Sequence, residues 1–78
     1  MRILHADDVT VLTSVLIMLT PDEAAELADG LRGLDPKTGD HIHVSDETFT
    51  REITIAVYTP ENLKFFAERI RRLIETGE

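Results

Sequence analysis

The chain has no cysteine among its 78 residues, so neither a disulfide nor a thiolate metal site can staple it, and a cysteine nucleophile is excluded. Basic residues are also scarce. Eight Lys and Arg stand against fifteen Asp and Glu, a net charge of −7 that opposes binding to a phosphate backbone. Arg69, Arg71 and Arg72 cluster, but Glu68 and Glu75 interleave them, so they read as a solvated helix face, and no nucleic-acid partner is expected. No Gly-rich phosphate loop, nucleophile elbow or HExxH helix occurs, and the two serines, Ser14 and Ser45, have no orienting triad. The apolar run 9–19 is too short to span a bilayer, and no cleavage-site pattern follows an apolar stretch near the start. A single cytoplasmic domain with no membrane association and no catalytic residues is the expectation.

What is present is a repeat. Residues 1–39 and 40–78 align without a gap. Seven positions are identical: Ile3/Ile42, Asp7/Asp46, Thr20/Thr59, Pro21/Pro60, Ala28/Ala67, Arg32/Arg71 and Leu34/Leu73. Chance would give roughly two or three by average residue usage. Thr20-Pro21-Asp22-Glu23 is a helix start: Thr caps, Pro suits the first helical position, and Glu23 completes a capping box. Ala24, Leu27, Ala28, Leu31 and Leu34 follow at helical spacing until Gly33, Pro36 and Gly39 end the element, with Gly30 permitting close packing. Thr59-Pro60-Glu61 starts a second helix with Leu63, Phe66, Ala67, Ile70, Leu73 and Ile74 inward, and with Glu68–Arg72 and Arg71–Glu75 pairs outward.

Before each helix the pattern is β. Residues 52–58 alternate, and residues 41–45 place Ile42 and Val44 opposite His41 and His43. Residues 9–19 read as one long strand, with a helix as the alternative because Leu12, Leu16 and Leu19 fit a helical stripe. Residues 2–5 form a short first strand, and hairpins turn near Asp7-Asp8 and Asp46-Glu47. The predicted fold is α+β, a pseudo-symmetric ββαββα in which four antiparallel strands form one sheet with both helices on one face.

The differences between the copies are the functional candidates. The repeat places Leu16 and Met18 under the helices and turns Val11, Val15, Ile17 and Leu19 to the other face, where the second copy carries Thr50, Glu52, Thr54, Ala56 and Tyr58. A strand apolar on both sides with helices on one implies a buried protein–protein surface, most simply a homodimer. Small unstapled domains gain stability from such association. Phe65 replaces Glu26 and points off the core stripe with Arg69 and Arg72 on its ridge, the composition of an interface anchor. The alternative is a peripheral core residue. His41 and His43 project from one strand face, a spacing able to hold a transition metal with Asp40, Asp46 or Glu52, or to move protons. The alternative is a solvated pair, and no other cofactor is implied.

Three stretches together resemble a known group: Leu19-Thr20-Pro21-Asp22-Glu23-Ala24, then Gly39-Asp40-His41-Ile42-His43, then residues 53–58. They are similar to small immunity-type proteins of bacterial polymorphic toxin systems, which carry a like G-D-H-x-H segment. The resemblance implies an acidic, cytoplasmic, non-catalytic protein that binds a protein partner, with Asp40, His41 and His43 as the positions carried over.

Overall fold

The computed structural model describes residues 1–76. Two antiparallel hairpins and two helices form an α+β arrangement, in the order β1 (Ile3–Leu4), β2 (Val11–Leu12), α1 (Pro21–Gly33), β3 (His41–Ser45), β4 (Glu52–Ala56) and α2 (Glu68–Thr76). β1 pairs with β2 through Ile3 opposite Leu12 and Leu4 opposite Val11. β3 pairs with β4 from His41 opposite Ala56 to Ser45 opposite Glu52. The two ladders remain separate sheets. The expected single four-stranded sheet is therefore not formed within one chain. The reason is visible in β2, which ends at Leu12 instead of running to Leu19, so the first half lacks the long strand needed to reach β3 or β4.

α1 follows the sequence closely. The Thr20 hydroxyl accepts from the Glu23 N–H at 3.2 Å and Glu23 Oε1 accepts from the Thr20 N–H at 2.8 Å, a reciprocal box that satisfies two otherwise unpartnered donors. Asp22 and Glu23 lie in the first turn and Arg32 in the last, each favourable to the helix dipole. The helix packs on β3 at Gly30. A Cβ there would lie 2.8 Å from Ile42 Cδ1, so the missing side chain allows the approach. Its covered face runs through Glu23, Leu27, Ala28 and Gly30 to the C-cap Leu34, while Ala24 and Leu31 are exposed.

The second start keeps the box and loses the helix. Asn62 Oδ1 accepts from the Thr59 N–H at 2.7 Å, and the Asn62 N–H donates to the Thr59 hydroxyl at 3.0 Å. Only a single 3-10 turn, Leu63–Phe65, follows. Phe66 is then extended (φ −94°, ψ 156°), which interrupts the expected continuous helix before α2 begins. Bulky, aromatic residues at Phe65 and Phe66 disfavour continued helix, and Asn62 has tertiary partners that hold the turn.

The repeat is thus only partly mirrored in three dimensions. The boxes at Thr20 and Thr59 are 39 residues apart, as the alignment requires. The hairpin loops are closed by His5 with Thr10 and by Asp46 with Arg51, an offset of 41. Two extra residues therefore lie between hairpin and cap in the first half. Little of the molecule is enclosed: Val44 and Asn62 are the buried residues among those described. The radius of gyration is 13.3 Å over extents of 36 × 25 × 18 Å, against about 11.5 Å for a compact domain of this length.

Candidate functional site

Residues 11–20 are exposed throughout. The sequence pattern placed Leu16 and Met18 beneath helices, but they are 84% and 85% accessible, whereas Val15, Ile17 and Leu19 are 56%, 47% and 37% accessible. Alternation survives with its faces exchanged. Val15, Ile17 and Leu19 lean toward the body of the molecule, and Leu16 and Met18 stand furthest out. The repeat misled here because it assumed that the first strand meets a helix layer as β4 was expected to do. Val11 is likewise exposed at the end of β2, so the four expected partner-binding positions and the two outward ones form one apolar strip. No helix among the described residues is long and apolar enough to cross a membrane.

The histidines of β3 are brought together on the exposed face, as their spacing requires. Their rings meet edge to face with centroids 4.7 Å apart. His43 Nδ1 lies 2.6 Å from Glu52 Oε1 and 2.8 Å from the Thr54 hydroxyl. Thr54 is the residue directly opposite His43 in the ladder, and Glu52 lies one diagonal step away. Both partners meet the same ring atom, leaving Nε2 as the nitrogen for a ligand or proton. Asp40 is exposed just before β3 and joins no such arrangement. Among the described residues no group of three or more His, Asp or Glu side chains is arranged to hold a metal ion. Beyond His43 a cleft of about 680 Å³ opens between the start of α1 and the β3–β4 turn, lined by Glu23, Glu26, Asp46, Glu47 and the exposed Phe49.

That turn is organised by Asp46. Its Oδ1 accepts from the backbone N–H groups of Thr50 and Arg51 at 2.9 and 3.1 Å. The Arg51 N–H first, then that of Thr50, the Thr50 hydroxyl and the Arg51 guanidinium, hold its carboxyl down at about 2. Asp8 plays the matching part in the first turn, where the Thr10 hydroxyl and then its N–H lower its pKa. Both loops contain a non-glycine residue with positive φ, Val9 at 60° and Phe49 at 56°. Such a conformation is unusual for these residue types, and the aspartate bonds offset it.

Phe65, Arg69 and Arg72 are not brought together on one ridge, because the helix that would align them is broken at Phe66. Phe65 covers Gly39, whose φ is +71° and whose absent Cβ would lie 2.8 Å from Phe65 Cβ. Lys64 Nζ stands 5.3 Å from the same ring. Arg69 Nη2 donates to the Asp8 carbonyl at 2.7 Å, tying α2 to the first hairpin, and Arg72 pairs with Glu68 at 3.1 Å as expected. The Arg71–Glu75 spacing gives no ion pair among the described residues.

Asn62 was not anticipated. It is fully buried, and its Nδ2 donates to the Pro36 carbonyl at 2.6 Å and to the Val57 carbonyl at 2.9 Å. The available signal was its place in the repeat, where it replaces Glu23 of the first box with a shorter side chain carrying two donors. No protein-family model, curated protein or solved structure matches this chain.

Proposed function

We propose that this chain is a small, non-catalytic protein-binding domain of the cytoplasm, homodimeric through the strip of Val11, Val15, Leu16, Ile17, Met18 and Leu19, and acting on a protein partner as immunity-type or regulatory proteins do. One observation carries the reading. The strip is a run of large apolar side chains left in water, larger than the isolated exposed residues that a soluble monomer tolerates. The accessible surface supports it: 6222 Å² for an 8.8 kDa chain, against about 4,800 Å² for a compact monomer of that mass. The shared Thr-Pro boxes support descent of the two halves from one ββα unit, with the first half later modified at the strip. Light scattering on the purified protein is expected to give twice the chain mass, and Ile17→Asp or Val15→Asp is expected to halve it. A strictly monomeric wild type would sink the dimer. Calorimetric titration against the product of the neighbouring gene tests the partner, and absence of binding to it removes the immunity-type assignment.

A second reading, a transition-metal or acid–base site on His41 and His43, draws on the adjacent rings and on the Glu52 carboxylate at Nδ1. Zn, Ni and Mn titrations of wild type against the His41→Ala/His43→Ala protein separate it from the first. Identical responses in the two proteins exclude the metal.

A further inference from the structure

Residues 13–19 have a second property, independent of their apolar character. Leu12 is held by the ladder to Ile3, and Thr20 by its box with Glu23. Between them no backbone N–H or C=O bonds to another backbone group among the described residues. The segment Thr13-Ser14-Val15-Leu16-Ile17-Met18-Leu19 carries no charge and continues directly from β2, whose second edge pairs with no strand among the described residues. An uncharged, unpaired and largely β-favouring segment at a sheet edge is a template for strand addition.

We infer that residues 13–19 extend β2 and pair antiparallel, about a two-fold axis, with the same residues of a second copy, joining two β1–β2 hairpins into one intermolecular four-stranded sheet. This rests on the dimer reading above and specifies its mode: the backbone edge makes the contact, not one side-chain face. A second copy is the occupant for two reasons. A two-fold contact must be compatible with itself, and a strip without charge meets that condition on a chain that is otherwise at −7. The surface beyond a compact monomer is also sufficient, since 6222 Å² exceeds the expected area by about 1,400 Å², and a stable interface takes about 800 Å² from each partner.

The existing ladder fixes which groups face the new edge. The Thr10 carbonyl accepts from the His5 N–H, so that carbonyl and the backbone groups of Leu12, two residues on and paired with Ile3, point at β1. Continued alternation turns Thr13, Val15, Ile17 and Leu19 toward the free edge. An axis through Leu16 then pairs Val15 with Ile17 of the partner subunit in a hydrogen-bonded pair. Leu16 meets itself in a non-bonded pair, the type with the closest side chains.

The cysteine-free sequence makes this directly testable. Single Cys variants at Ser14, Val15, Leu16, Ile17 and Met18 are oxidised mildly, and covalent dimer is quantified. Leu16→Cys is expected to cross-link about tenfold faster than its neighbours, since only the residue on the axis meets its own copy within disulfide range. Ile17→Pro is expected to abolish the dimer seen by light scattering. In far-UV circular dichroism the helices and hairpins of the protomer are retained and only the strand signal of the intermolecular pairing is lost, because among the described residues the lost N–H has no backbone partner within the chain. Equal cross-linking at all five positions would show parallel stacking and overturn the proposal. A dimer that survives Ile17→Pro but dissociates in Ile17→Asp would overturn edge pairing while leaving the dimer reading intact. A monomeric wild type would overturn both.

Discussion

Thr20 and Thr59 begin the same way and end differently. Each hydroxyl accepts from the N–H three residues on, and each N–H returns a bond to that residue's side chain. At Thr20 the partner is Glu23, the box lies at the surface, and thirteen residues of helix follow. At Thr59 the partner is Asn62, which is buried, binds Pro36 and Val57 as well, and leads only to one 3-10 turn. Local capping chemistry therefore licenses a helix without compelling one. The first box serves its own helix. The second serves as a joint between the inter-helix connection, the end of β4 and the last third of the chain.

Substitutions that separate the local bonds from the tertiary ones test this contrast. The largest effect is expected for Asn62→Asp, which keeps the acceptor for the Thr59 N–H but presents carboxylate oxygen to two carbonyls in a buried site. A loss of about 3 kcal/mol or more is expected from the unpaired groups alone, measured by urea denaturation, while Glu23→Gln should change stability only slightly. An Asn62→Asp protein as stable as wild type would end the joint interpretation. Next is Gly39→Ala, where the positive φ costs about 1–2 kcal/mol and the new Cβ must displace Phe65. Equal stability there would show that Phe65 does not rest on Gly39. Thr59→Ala should then cost about 2 kcal/mol, against about 1 for Thr20→Ala, because the Asn62 N–H is buried and would keep only its longer bond to the Thr59 carbonyl at 3.3 Å. Equal losses would erase the distinction between the boxes.

The smallest effect is a pH dependence that extends the comparison to the turns. Asp46 is held at about 2, below its ordinary 3.8. Its contribution is fully present above the unfolded value and is lost as pH falls from near 4 through about 2. The Thr50 and Arg51 amide resonances are therefore expected to titrate with a midpoint near pH 2. A midpoint near 4 would show that these N–H groups do not hold the carboxylate.

Where the chain's own neighbours decide the structure, the residues disclosed it. The Thr20 box, the span of α1, the pairing segment of β3 and the positions of both turns follow from caps, alternation and acidic turn residues within a few positions of each other. The failures lie where distant groups decide. The aromatic pair Phe65-Phe66 only weakens the helix there, and the break is completed by a turn held to the distant carbonyls of Pro36 and Val57. Nothing in residues 13–19 shows that β1, only two residues long, leaves them without a ladder. The site was legible in the same sense. His41 and His43 share a face because they are two apart, and Glu52 reaches His43 through the register. The outward turn of Leu16 and Met18 depends on which side of the segment meets the rest of the molecule.

The two hairpin loops lie 41 residues apart and the two boxes 39. The surplus of two residues equals one pleat repeat, about 6.6 Å of extended chain. A one-residue difference would shift the parity of the segment against the second copy, whereas two residues lengthen it and preserve that parity, so the exchange of faces at Leu16 and Met18 comes from the surroundings of the segment and not from its length. Length variants of this connector should accordingly obey a parity rule: deleting two residues shortens the reach of the strip, and deleting one inverts it.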